Sequence, residues 1–566
     1  MPQITINGKT CEYKPGQVII QVANDNGIDI PQYCYHPGLS IVASCRICLA
    51  ECWKKDASGK LAPHMGGKLL PTCQTFLGPA DDGMVVYTDS PKAVANQKAV
   101  MEYLLINHPL DCPVCDQAGE CTLQDYSYEY GRGQSRFEET KVKKPKKDLG
   151  EHVYLYSDRC IMCTRCVRFT REVSGAGELL VSGRGNREEI DVFPGHPLAS
   201  ELSGNVVDLC PVGALLDKDF LFAQRVWFLK STPSVDGITA SGDNILIEHN
   251  EGKVYRVKPR FNGSANKWWI TDEVRYGWKF IHREDRLSQP TRRQFGIKTA
   301  APWQRAIAEA ATALSAVEST GKRLALMVSP MLSCEDAYAL AKAALAIDGN
   351  CVLAVGPIPV HGHDKTFPAG AKADDPKAFT MYAEKAPNAR GVRRVLEALA
   401  VQHGLSGVAT YEQLLAELRV STIGAAIITG NYPSEWVTTD LVEAVKGKTL
   451  VVIDTLPTAL SDMAEVLLPG ATWAEKAGCF QSAKGAVQAF EQAIPVREGA
   501  MAEAQIGLNL HAAVTGGAAG GEAMYNAADL RSQMATEVPA LAPLAATVQP
   551  AITAAPMEAD MAVVEL

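Results

Sequence analysis

The sequence predicts an α+β N-terminal part followed by an α/β part, and three observations carry that reading. Residues 3–13 read as a hairpin, with Ile4 and Ile6 before a turn at Asn7-Gly8-Lys9 and Cys11 and Tyr13 after it. Thirteen of the sixteen cysteines crowd into residues 11–210. After about residue 300, apolar runs at 324–328, 351–355, 425–429 and 449–453 alternate with Ala/Leu-rich helical stretches such as 303–316 and 335–347, the pattern of parallel α/β units.

A chain of 566 residues exceeds one domain, and its 47% hydrophobic and 21% charged content are those of a globular protein. A net charge of −9 argues against nucleic acid, which needs a basic surface. No apolar run reaches the length of a membrane span, so any membrane contact is expected through a partner. Met1 leads almost directly into Ile4-Thr5-Ile6 without a targeting pattern, which favours a bacterial cytosolic setting.

Pro15-Gly16 ends the hairpin, and a helix over 17–26 is closed by Gly27. Strand, turn, strand and helix before a cysteine-bearing loop is the layout of a β-grasp ferredoxin. That loop opens the first set, Cys34-x10-Cys45-x2-Cys48, with Cys73 following after 24 residues. Four thiolates suit a [2Fe–2S] cluster; a four-cysteine zinc site is the rival, but its paired knuckles fit the leading ten-residue gap poorly. Cys11 and Cys52 are left over and read as plain buried thiols.

A helix over 91–106 precedes the second set, His108-x3-Cys112-x2-Cys115-x5-Cys121. One imidazole and three thiolates suit zinc as well as a [4Fe–4S] cluster, so the donors alone leave the metal open; the neighbouring sets favour iron. An imidazole in place of a thiolate removes negative charge and should raise a cluster's potential. Lys141–Lys147 reads as a solvated, charged linker. The third set is Cys160-x2-Cys163-x2-Cys166, with Cys210-Pro211 after 43 residues. This is the bacterial ferredoxin spacing of a [4Fe–4S] cluster, and because Thr170 stands where a nearby fourth cysteine would, Cys210 must complete it. Three adjoining sets in one chain imply an electron relay.

These three sets, in this order and spacing, resemble the large iron–sulfur (G-type) subunit of NADH–quinone oxidoreductase, respiratory complex I. Ala464-Glu465-Val466-Leu467-Leu468-Pro469 and Trp473-Ala474-Glu475-Lys476-Ala477-Gly478 are similar to the molybdopterin-oxidoreductase fold that this family carries without molybdenum. The resemblance implies a [2Fe–2S] domain at 1–79, [4Fe–4S] domains at 80–145 and 146–222, and a β-rich segment at 223–295. A molybdopterin-oxidoreductase-like domain follows at 296–510, with an Ala/Gly/Pro-rich tail at 511–566. It further implies a non-catalytic relay subunit at the cytoplasmic face of the bacterial inner membrane, working beside a flavin and NADH-binding subunit, a small [2Fe–2S] subunit and quinone-site subunits.

Two departures qualify it. Some bacterial members hold a fourth cluster, and the matching positions here, Asp236, Thr239, Asp243 and Thr271, carry no thiol, so that cluster is expected to be absent although Arg260-Phe261-Asn262-Gly263 is retained. The α/β part is short, and the isolated Cys334 and Cys479 read as buried apolar residues, not molybdenum ligands. Gly183-Arg184-Gly185 lacks the third glycine of a dinucleotide loop, so no flavin or NAD site is expected in this chain. The competing readings are an [FeFe]-hydrogenase, a formate dehydrogenase and a zinc-stabilised scaffold.

Overall fold

The predicted hairpin forms as β1 (Gln3–Ile6) and β2 (Lys9–Glu12), because Asn7 and Gly8 both take positive φ, 47° and 85°, as a two-residue turn matched to strand twist requires. Helix α1 (Ile19–Asp25) packs on the sheet these strands start, burying Ile19, Ile20 and Val22 against Ile4, Ile6 and Tyr13. The six-stranded sheet continues through β3 (Leu49–Lys55), with two short strands at Leu61–Pro63 and Leu70–Pro71 paired to it, and β4 (Met84–Tyr87). β4 runs parallel to β1 and antiparallel to β3, which gives the mixed sheet of a β-grasp. Helix α2 spans Pro91–Ile106, the expected range; Ser90 caps it by accepting from the Ala93 amide at 3.3 Å, and Pro91 takes the first turn, where no backbone donor is needed.

The structure describes residues 1–372, 375, 378–516 and 524–546 of what is a computed structural model, and it separates into two units. Among the described residues, the first is Met1–Phe228 with the segment Phe367–Ala371, and the second is Leu229–Thr366 with those from Lys372 to 546. Within the first, α3 (Thr122–Glu129) is followed by an antiparallel sheet of β5 (Lys146–Asp148), β6 (Val153–Tyr156) and, later in the chain, β7 (Leu215–Asp217). Between β6 and β7 lie α4 (Arg165–Glu172) and α5 (Asn205–Leu209). The lysine-rich 141–147 stretch is solvated, as expected of it, but it is also tied to its own unit. Lys141 donates to the carbonyls of Leu105 and Ile106 at 2.8 and 2.9 Å, and Lys147 pairs with Glu189 and Asp191 at 2.9 and 2.6 Å. Its charges are consumed by carbonyls and carboxylates of the same unit, so it is a strap.

The second unit opens with an antiparallel meander of β8 (Lys230–Val235), β9 (Asn244–Asn250) and β10 (Lys253–Pro259), with a turn at Glu251-Gly252 between the last two. A seven-stranded sheet follows. Its antiparallel edge is β11 (Thr291–Gln294) and β12 (Ile297–Ala300). Helix α6 (Trp303–Ser315) leads to β13 (Arg323–Val328), α7 (Cys334–Ile347), β14 (Val352–Val355), α8 (Ala389–Gln402), α9 (Tyr411–Arg419), β15 (Ile423–Thr429), β16 (Thr449–Asp454) and β17 (Val466–Pro469). The parallel part runs β14-β13-β15-β16-β17, and its strands are the apolar runs seen in the sequence, buried on both faces by helices.

Helix α7 is apolar almost all round because it lies inside, with α10 (Glu503–Thr515) along it. Their close approach needs Gly507, where a Cβ would stand 2.6 Å from the Ala339 carbonyl carbon. The helices are also joined by charge. Buried Lys476 pairs with Asp336 of α7 at 2.8 Å and with Glu503 of α10, and its neighbour Glu475 pairs with Arg286 at 2.7 Å. The expectation of a loose tail from 511 is corrected for the described residues. Helix α11 (Ala527–Glu537) buries Leu530 and Met534, Leu541 and Leu544 follow them into the same core, and Arg531 pairs with Glu335 at 2.5 Å. Residues 517–523 and 547–566 of that expectation lie outside the described residues. Gly507→Ala is expected to cost about 1–3 kcal/mol, since the added methyl meets backbone and not a movable side chain; a urea unfolding midpoint unchanged from wild type would contradict the close helix contact.

Candidate metal centres

The first set is built on the loop between α1 and β3 and on the turn after residue 71. Cys34, Cys48 and Cys73 are buried and Cys45 is half-buried. The Cys34 thiol is within hydrogen-bonding reach of Cys45 and Cys73, and Cys48 of Cys73, so all four meet at one place. The loop holds Ala43 and Arg46 in left-handed backbone, φ 49° and 60°, a strained conformation for residues with side chains and one that collects at binding sites. Bonds from Cys45 and then Cys73 hold the Cys34 thiol far below the ordinary thiol range, and Cys73 brings Cys48 down to about 7; the donors Cys45 and Cys73 are pushed up in turn.

The second set follows the end of α2. His108, Cys112, Cys115 and Cys121 line one small cavity with Asp111, Arg159 and Gly213. Cys121 is the residue from which α3 starts; Cys112 is exposed and the other two thiols are buried. Gly213 is the only residue type that fits its place, because a Cβ there would lie 2.2 Å from the Cys115 Sγ. Burial, with Arg159 and Lys141 nearby, pushes His108 down to about 4, so its ring is neutral and offers a lone pair to a metal. Burial raises Cys115 and carries Cys121 to about 11.

The third set occupies the loop before α4, the first turn of α4 and the end of α5. Cys160, Cys163, Cys166 and Cys210 line a cavity whose other walls include Leu155, Ile161, Ile190 and Leu215. Met162 and Thr164 are left-handed, φ 53° and 57°, and the Met162 amide donates to the Cys160 Sγ at 3.4 Å. Burial raises all four thiols, Cys160 to about 12 and Cys163 to about 11. In this apolar setting the thiols ionise only where positive charge arrives with them, which is what a bound metal supplies.

Each of the twelve residues expected from spacing thus lies with its own set. Among the described residues no three His, Cys, Asp or Glu side chains close tightly enough to hold a single metal ion; the second and third sets ring a space. Three arginines escaped the spacing argument. Arg159 stacks on Tyr156 at 4.1 Å and joins the third set's segment to the second through Asp111 at 3.0 Å. Arg165 and Arg168, interleaved with Cys163 and Cys166, reach the loop of the first set. Only Arg165 lies inside the cysteine run; no spacing signal marks Arg168, which follows it. His36, on that loop, is held neutral, pushed down to about 3 by burial and by these two arginines.

Cys11 and Cys52 lie in the first sheet's core, as plain buried thiols do. Cys334 and Cys479 are likewise fully buried, but they lie within hydrogen-bonding reach of each other, a pairing invisible in the sequence.

Five family models match in order. They are a 2Fe-2S iron–sulfur cluster binding domain at 2–91, the NADH-ubiquinone oxidoreductase-G iron–sulfur binding region at 97–136, and the ferredoxin-like domain of NADH-quinone oxidoreductase subunit 3 at 150–216. An NDSU1/NuoG-like 4Fe-4S domain follows at 229–279 and molybdopterin oxidoreductase at 396–511. The mitochondrial 78 kDa subunit of NADH-ubiquinone oxidoreductase from Neurospora crassa is 39% identical over 60% of this chain and 44% of its own length. The iron-sulfur protein 1 of mitochondrial NADH dehydrogenase from Solanum tuberosum is 42% identical over 54% of this chain and 40% of its own. The chain therefore spans less than half the length of these relatives. A chain of an NAD+-reducing [NiFe]-hydrogenase in the H2-reduced state is 25% identical over 40% of this chain and 91% of its own, with a TM-score of 0.34.

One of the matched models, the 4Fe-4S domain at 229–279, implies a group that the residues do not fit. Residues 229–279 contain no cysteine. At the expected positions Asp236 accepts from the amides of Ile238 and Thr239 at 2.8 and 3.1 Å and from the hydroxyls of Thr239 and Ser241, while Thr271 caps the helix that begins at Asp272. The place of a cluster is taken by a polar core. In the molybdopterin-like domain, Asn431 and Tyr432 stand just beyond the strand end at Thr429 and are buried. Tyr432 stacks on Trp436 at 4.9 Å there, and the Trp436 indole donates to Asp454 at 3.1 Å.

Asp243 is 2% exposed, and its Oδ2 has no hydrogen-bond partner among the described residues. Burial and then the neighbouring Asp236 raise its carboxyl well above the ordinary range, against the pull of Ser241 and Lys484. The folded state thus holds this proton more tightly than the unfolded chain, and stability is lost as pH rises from about 4. Asp243→Asn is expected to raise the melting temperature at pH 8 and to do so less at pH 5; a gain that fails to grow with pH would refute a buried, proton-holding carboxyl.

Proposed function

We propose that this chain, made of the iron–sulfur domains of the large subunit of NADH–quinone oxidoreductase, is an electron relay of respiratory complex I. It passes electrons from a flavin and NADH-binding subunit toward quinone-reducing subunits and performs no bond-making step itself. The observation that carries this reading is the gathering of three four-donor sets within one unit. Cys34, Cys45, Cys48 and Cys73 would hold a [2Fe–2S] cluster; His108, Cys112, Cys115 and Cys121 a first [4Fe–4S] cluster; Cys160, Cys163, Cys166 and Cys210 a second. When bound, such clusters take up and release single electrons.

The chain's own residues set how readily that happens. The apolar walls of the third set exclude water, and left-handed residues turn backbone donors toward sulfur, both of which tune a cluster's potential. Neutral His108 leaves its set one negative charge short of an all-thiolate set. The domain divisions near residues 79, 145, 222 and 295 follow the same reading. No helix among the described residues is long and apolar enough to cross a membrane, which suits a peripheral-arm position on the cytoplasmic face, held there through partner subunits. The molybdopterin-like domain serves as a platform without molybdenum.

Iron and sulfide analysis of anaerobically purified or reconstituted chain should return about 10 of each, with zinc and molybdenum near zero. About 14 iron would mean a fourth cluster, and stoichiometric zinc with a colourless protein would replace the relay by a scaffold. Cys210→Ser is expected to remove about four iron while leaving the other two centres' spectra in place. Gly213→Ala, which displaces the Cys115 thiol, should bleach the His108 centre alone; loss of all three signals together would show general unfolding instead.

A further inference from the structure

The first and third cysteine sets share a wall, and that wall is cationic. Arg168, on α4, is 8% exposed. Its Nη1 donates to the Ser40 carbonyl at 2.5 Å, and its Nη2 to the carbonyls of Cys34 at 2.5 Å and Cys163 at 3.3 Å. Arg165 donates to the carbonyls of Tyr35 at 2.6 Å and Leu209 at 3.5 Å. Each guanidinium therefore ties the loop carrying Cys34 to the segments carrying Cys163 or Cys210.

Neither has a carboxylate partner within 4.0 Å among the described residues, and the Nε–H of each is buried with no acceptor. Glu172, one turn along α4, acts on Arg168 only through space and after the Cys163 and Cys34 sulfurs, and it accepts from the amide and hydroxyl of Ser40 at 2.8 and 2.5 Å. Carbonyl dipoles solvate a buried cation only in part, and a charge left uncompensated in the interior is costly. Arg159, beside the second set, is the contrast, because Asp111 cancels its charge. What lies on either side of Arg168 and Arg165 are two sets of four cysteines that become anionic once they hold metal.

We infer that Arg168, with Arg165 beside it, is the buried counter-charge shared by the first and third centres, a positioning pair that holds the two loops together and raises both reduction potentials. The inference rests on the cluster reading above. The physical reason is direct. Taking up an electron adds negative charge to a cluster, and a fixed cation in a poorly screened interior favours the reduced form of each neighbour. An arginine is suited to this because it stays charged when buried and its planar fork reaches several carbonyls at once.

The test is a redox titration of the reconstituted chain followed by electron paramagnetic resonance, with iron measured on every sample. In Arg168→Gln the midpoints of the [2Fe–2S] centre and of the four-cysteine [4Fe–4S] centre should both fall, each by at least a tenfold change in the reduced-to-oxidised ratio, about 59 mV for a one-electron couple. The His108 centre should stay where it was, and Arg168→Lys, which keeps the charge, should recover most of the loss. Unmoved midpoints with iron near the wild-type amount would overturn the inference, as would an equal fall in all three centres. If Arg168→Gln does not hold iron, Arg165→Gln is read in its place, and an unmoved third centre overturns it equally. A wild-type chain that binds no iron would sink the cluster reading itself, a separate failure.

Discussion

Four thiols brought to one point in a water-poor interior repel one another as soon as they ionise, and the N-terminal unit is arranged around that difficulty. Burial keeps the third set protonated, whereas in the first set bonds from Cys45 and Cys73 pull the Cys34 thiol down. The third set is thus stable as neutral thiols and becomes a ligand set only in company with cationic charge. Strained backbone at Ala43, Arg46, Met162 and Thr164, the missing side chain at Gly213 and the straps made by Lys141 and Lys147 hold geometry that the thiols would not hold by themselves.

The donor sets were legible because their chemistry is written in local spacing. Cys160, Cys163 and Cys166 follow one another so closely that little besides a cluster explains them, and only Cys210 had to be found at a distance. The arginines were not legible in this way. Nothing in the pattern distinguishes Arg168, whose bonds cross 134 residues to Cys34, from the exposed Arg171 three places on. The parallel strands were visible as apolar runs, whereas the order β14-β13-β15-β16-β17 depends on crossovers that no local signal records. The C-terminal helices were hidden by composition. Alanine-rich sequence with weak periodicity reads as tail, yet α11 is fixed by Leu530, Met534 and the Arg531–Glu335 pair.

The second unit meets the same electrostatic difficulty by the opposite route. Its buried charges are satisfied from within the chain. Lys476 lies between Asp336 and Glu503, Glu475 faces Arg286, and Glu335 faces Arg531. The segment that resembles the molybdopterin-oxidoreductase fold in sequence is the one that carries Lys476 and Glu475, so its resemblance reports a structural joint between helices α7 and α10 and the sheet.

The hydrogen-bonded loop at Asp236 has a consequence for how the protein is made. A loop closed by its own amides and hydroxyls reaches its final shape without any inorganic ingredient. The three cysteine sets all lie within the N-terminal 228 residues, so a loop of this kind in the remainder has its shape fixed by the chain itself. Maturation is divided along the chain, with a delivery-dependent portion and one that ripens unaided.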